Sequence, residues 1–148
     1  MKKVLFVIMM MMVCMTPSLK AEKWSNLGPN LAKEVNNLSG YIAQEFQSQG
    51  IPATAKAAYS SATKSVDIYI DFGDLDIIPY LDNSVMNECK QGFLTAFIAS
   101  MRESGSMAEL REMADIMIKD NGSLRIVFLG AGQQKSVSIT GQDIKRAM

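Results

Sequence analysis

Four aspartates stand within ten residues, Asp67, Asp71, Asp74 and Asp76, in the stretch Asp67-Ile68-Tyr69-Ile70-Asp71-Phe72-Gly73-Asp74-Leu75-Asp76. Clustered carboxylates can hold Ca²⁺. Here the run Asp71, Asp74, Asp76 misses the spacing of a calcium-binding loop, and no bidentate Glu follows at the required distance, so it reads as an acidic loop after a strand and no metal is expected. Asp67 and Asp71 lie two alternations apart on one strand face, the arrangement from which a carboxylate pair could hydrolyse a glycoside. The flanking residues supply neither the apolar pocket nor the close charge that makes an acid of one and a base of the other. Asp67, Tyr69 and Asp71, with Arg125 on a later strand, are therefore read as a ligand or partner surface on the solvated side of a sheet.

The chain contains no His, which removes imidazole-based acid–base catalysis, nucleophilic triads built on it and metal sites that use it. Cys89 would need a helix terminus or Lys90 to become a nucleophile, and its place on an apolar face favours burial as a small hydrophobe. No G-x-S-x-G elbow is present. Gly130-Ala131-Gly132-Gln133-Gln134-Lys135 has the residue types of a phosphate-cradling loop, but it leads into a strand and lacks the P-loop spacing, so a hairpin turn accounts for it. Asp71-Phe72-Gly73 spells a kinase triplet without the remaining kinase motifs, a coincidence of sequence. No catalytic residue and no cofactor is expected.

The beginning of the chain has a different character. Met1-Lys2-Lys3 is basic, Val4 to Val13 is an unbroken apolar run, and Pro17 to Ala21 is a more polar exit. This segment resembles a bacterial secretory signal peptide, with cleavage expected after Ala21. The apolar run is too short for a permanent transmembrane anchor. A lipid anchor through Cys14 is the competing reading, opposed by Val13, Met12 and Met11 where a lipobox wants small residues. Removal of residues 1–21 takes Lys2, Lys3 and Lys20 from the 15 basic residues, leaving 12 against 15 acidic ones. It also leaves Cys89 as the one remaining cysteine, so no internal disulfide staples the fold. The resulting weak acidity, without a block of like charge, speaks against nucleic acid as a partner.

The elements that must position these residues follow from hydrophobic period. Leu27, Leu31, Val35, Leu38, Ile42 and Phe46 form one helical stripe, which predicts a helix from about Asn30 to Gln49, stopped by Gly50 and Pro52. Trp24, before it, is expected in a flexible N-terminal tail. Ala55, Ala57 and Tyr59 alternate with Thr54, Lys56 and Ala58, and after a break at Ser60–Lys64 Val66, Ile68, Ile70 and Phe72 alternate with Asp67, Tyr69 and Asp71, a β-hairpin whose first strand is open to a helical reading. A helix is predicted over 84–103, with Asp82, Asn83 or Ser84 as its cap. Ser106-x-x-Glu109 has the form of a capping box opening a further helix, which Asp120-Asn121-Gly122 ends. Leu124–Leu129 and Lys135–Thr140 form a second hairpin, and Thr140-x-x-Asp143 caps a short final helix.

The sum is one small α+β domain over 22–148, in αββ-ααββ order: an antiparallel four-stranded sheet made of two hairpins, with helices packed on one face. A sound exported fold without catalytic chemistry predicts a non-enzymatic binding or accessory module of the bacterial envelope, whose partner is another envelope protein or a small ligand. An Asp-based hydrolase or cation-dependent enzyme, and a lipid-anchored component through Cys14, are the alternatives.

Overall fold

The structure, a computed structural model, describes residues 23–148. The leader with its expected cleavage site at Ala21, and Cys14, lie outside the described residues. In chain order the elements are α1 (Trp24–Asn37), α2 (Ser39–Ser48), β1 (Thr54–Ser60), β2 (Ser65–Asp71), a short 3₁₀ turn (Ile78–Tyr80), α3 (Asn83–Glu103), α4 (Met107–Asp120), β3 (Ser123–Gly130), β4 (Gln133–Thr140) and α5 (Gly141–Ala147). None of the described helices is long and apolar enough to cross a membrane.

Both hairpins form, and the strands lie in the order β1-β2-β3-β4. The sheet is mixed: β2 and β3 pair in parallel, whereas a wholly antiparallel sheet was expected. Alternation of apolar and polar residues fixes which face a side chain takes, and a short turn fixes the direction of the strand after it. The β2–β3 link is no turn. It contains α3 and α4, and a helical crossover of this kind is what parallel neighbours require. The helices cover one face of the sheet, burying Val66, Ile68, Ile70, Leu124, Ile126, Phe128 and Ile139 beneath them.

The first helical stripe is divided between two helices. Leu38 serves as the C-cap of α1 and precedes α2, while the Ser39 hydroxyl donates to Asn36 O at 2.7 Å. Asn36, Asn37, Ser39 and Gly40 are weak helix formers, so the break costs little. The stripe survives it, with Leu27, Leu31, Val35, Ile42 and Phe46 all buried.

Trp24 is part of the core and not of a flexible tail. It is 1% exposed. Its Nε1 donates to Lys64 O at 2.8 Å, and its main-chain N donates to Asp120 Oδ2 at 2.7 Å. Gly122 has no side chain because a Cβ there would overlap the indole ring.

The caps divide. Asp82 Oδ1 accepts from Val85 N at 2.9 Å and opens α3. Thr140 and Asp143 form a reciprocal capping box at α5. The Ser106–Glu109 box expected at α4 does not form: Ser106 makes no side-chain cap bond, and its hydroxyl instead accepts from Ser104 Oγ at 3.1 Å. Glu109 Oε2 is buried without a hydrogen-bond partner among the described residues.

Candidate functional site

Strand register decides which of the sequence-selected side chains meet. On the face away from the helices, Asp67 stands beside Arg125, and Arg125 beside Ser138. The neighbouring row is Lys56, Tyr69, Val127 and Ser136, and the next is Thr54, Asp71, Leu129 and Gln134. The parallel pairing of β2 with β3 is what sets Asp67 against Arg125 across residues far apart in sequence.

Their side chains close a bidentate pair. Arg125 Nε donates to Asp67 Oδ1 at 3.0 Å and Nη2 to Oδ2 at 2.9 Å. Ser65 Oγ donates to Asp67 Oδ1 at 2.7 Å, and Ser65 in turn shares a 2.7 Å hydrogen bond with Thr63 Oγ1. Tyr69 Oη donates weakly to Oδ2 at 3.5 Å. The Asp67 side chain is thereby 4% exposed and that of Arg125 33% exposed. The hydrogen bonds it donates to Asp67 hold the Arg125 guanidinium above its already high usual range, against a smaller opposing effect of burial. Arg125 thus stays charged, as a bidentate pair requires. Lys56 Nζ lies 5.6 Å from the centre of the Tyr69 ring, a cation–π contact on the same face.

Asp71 stands away from this cluster. It is exposed, and its Oδ1 accepts from Gly73 N at 2.8 Å, bracing the turn that carries the chain off the sheet. Phe72 is buried, packing edge-on to Phe46 and stacked near Phe128, so the Asp71-Phe72-Gly73 triplet is a structural corner. Asp74 and Asp76 are exposed, and among the described residues no three acidic or cysteine side chains group closely enough to hold a metal ion.

No family model, curated protein or solved structure matches the chain.

Cys89 is buried in α3, where desolvation pushes its thiol up from the ordinary value. Within the Gly130–Lys135 segment, Ala131 and Gly132 form a two-residue turn between β3 and β4, both with positive φ, the twist that suits a tight hairpin.

Several residues of the uncovered face were not legible as site members. Ser65 and Thr63 look like turn residues, Lys56 sits in a weak strand, and Val127 reads as ordinary strand core. Val127 is 2% exposed yet lies outside the main core, on the opposite face. A surface cleft of about 660 Å³ was also unforeseen; Lys23, Tyr59, Lys64 and Lys119 line it beside Trp24 and Asp120. Its lysines come from three separate parts of the chain, so no local motif announces them.

Proposed function

We propose that this protein is a small exported, non-enzymatic binding or accessory module of the bacterial cell envelope, presenting its uncovered sheet face to another envelope protein or a small ligand. The observation that carries the reading is the state of Asp67: both of its oxygens are occupied by Arg125, Ser65 and Tyr69. A carboxylate held this way, buried and with both oxygens engaged, presents no free oxygen to a substrate proton. It does hold Arg125 rigidly, and ordered polar groups bind without the entropy cost of being fixed at the moment of contact. The guanidinium edge not turned to Asp67, with Lys56 nearby, suits a carboxylate or carbonyl oxygen on the bound molecule. The hydrolase alternative has less support, since Asp71, its other carboxylate, is exposed and committed to a turn.

The test is in-cell crosslinking and recovery of the tagged protein from its native envelope, beside a variant carrying Lys56→Gln and Arg125→Gln. The expected result is a specific partner present with the wild type and lost with the variant, while Trp24 emission reports the variant still folded. A partner retained by the variant, or turnover of a substrate by the purified protein, would overturn the reading. Intact mass of the recovered protein reports cleavage after Ala21 or acylation at Cys14.

A further inference from the structure

The two edges of the sheet are not alike. At the centre of the β1 edge, the Asn36 side chain occupies the main chain of Ala57: Nδ2 donates to Ala57 O at 2.6 Å, and Oδ1 accepts from Ala57 N at 2.7 Å. An amide group makes the same pair of bonds as a neighbouring strand, so this edge is blocked.

The β4 edge can be read from its turn. Gly130 and Gln133 flank a two-residue hairpin loop and so exchange both main-chain bonds. Counting outward in twos, Lys135, Val137 and Ile139 turn their N–H and C=O groups toward β3, while Gln134, Ser136 and Ser138 turn theirs away from it. At the next outward position the Thr140 N–H is taken by Asp143 Oδ2 at 2.9 Å. Gln134, Ser136 and Ser138 are all exposed, and no described residue hydrogen-bonds to them from the outer side.

We infer that this edge pairs with a second copy of itself, β4 against β4, antiparallel about a two-fold axis at Ser136. In that register Ser136 faces its own copy and Gln134 faces Ser138, so the three outward N–H and three outward C=O groups of each chain all find partners. Lys135, the one charged residue of β4, then faces Val137 and not another Lys135. Each side chain also meets a neighbour on its own face of the sheet. A register centred on residue 135 would instead oppose two lysines. Because the β1 edge is blocked by Asn36, the assembly closes as a dimer and cannot extend into a fibre. This does not rest on the binding reading above; a dimer would double the uncovered face whether or not that face binds anything.

The experiment measures mass by light scattering across a concentration series of the purified protein and two variants. The wild type is expected to rise from the mass of one chain to twice that mass. Ser136→Pro deletes an outward N–H and no bond to β3, a substitution that edge strands tolerate, and is expected to stay at the mass of one chain with Trp24 emission unchanged. Ser136→Cys places two thiols across the axis and is expected to oxidise to a dimer linked at position 136, faster than Ser61→Cys in the exposed β1–β2 turn. A wild type that remains one chain throughout, or a dimer that persists in Ser136→Pro, would overturn the inference. If Ser136→Pro fails to fold, Ser136→Cys decides: linkage no faster than in Ser61→Cys overturns it.

Discussion

The carboxamide of Asn36 and the main chain of Ala57 are joined by two short hydrogen bonds, so a side chain of α1 does the work of a fifth strand at the β1 edge. Asn36 makes this contact from the last turn of α1, with its main chain still helical. Replacing Asn36 by Ala should cost about 1–2 kcal/mol in urea denaturation, the worth of a pair of hydrogen bonds whose main-chain partners can still be solvated. The same variant should form species larger than a dimer, because a second edge becomes available. Unchanged stability and unchanged mass would show that the pair does neither.

Arg125→Met should be more damaging than its exposure implies. It leaves Asp67 buried with its charge uncompensated, a loss of about 2–3 kcal/mol after allowance for the partly exposed guanidinium. Adding Asp67→Leu to Arg125→Met should recover part of that loss, because two apolar groups of similar bulk replace the pair. Additive losses in the double variant would contradict a closed, desolvated pair.

Trp24 is the only tryptophan in the chain, so its fluorescence reports the docking of α1 against the Lys64 turn. The native protein should emit in the blue range of buried indole and shift to the red on unfolding. Trp24→Ala should lose about 3–5 kcal/mol, the usual cost of deleting a buried aromatic side chain. Red emission from the native protein would place the residue in solvent and α1 away from the Lys64 turn.

Burial raises the tendency of Asp143 to protonate. The ion pair with Lys90 at 2.9 Å and the hydrogen bonds from Thr140 together outweigh it, leaving its carboxyl below the usual range. A depressed folded-state value means that the stabilisation is present above the unfolded value, near pH 4, and is lost as pH falls through the folded one. Stability measured by urea denaturation should therefore drop below about pH 4 more steeply in the wild type than in Asp143→Asn. Parallel curves would show that the box and its lysine are not coupled to folding.

The Cys89 thiol should be inert toward an aromatic disulfide reagent at pH 8 in the native protein, because burial both shields it and disfavours the thiolate. Its rate of labelling should follow the rate of opening and rise with urea. Immediate labelling without denaturant would place α3 closer to solvent than it is here.

What the sequence made legible was the set of local patterns. The stripe through Leu27, Val35 and Phe46 and the alternation through Val66, Ile68 and Ile70 predict the faces that end up buried, because each follows from a period within one element. Thr140-x-x-Asp143 predicts its cap for the same reason. Ser106-x-x-Glu109 has equal local merit and fails, because main-chain Ser106 N already bonds to Met101 O and Glu109 turns toward the interior. Asp67, Tyr69 and Arg125 could be named as one polar face from alternation alone. Their closure into a pair could not, because it depends on a parallel register between strands separated by two helices. The Asn36 edge cap was hidden likewise, as an asparagine near a helix end reads locally as a helix stop.

The parallel union of β2 with β3 joins Asp67 to a residue 58 positions further along the chain. Each hairpin can close on its own, over a short loop and at low entropic cost, but the centre of the sheet waits for both and for the long crossover between them. A chain emerging N-terminus first therefore leaves the inner edge of β2 without its partner strand until β3 arrives. Until then that edge carries unpaired main-chain groups, and the stretch between Phe72 and Gly122 sets how long they wait.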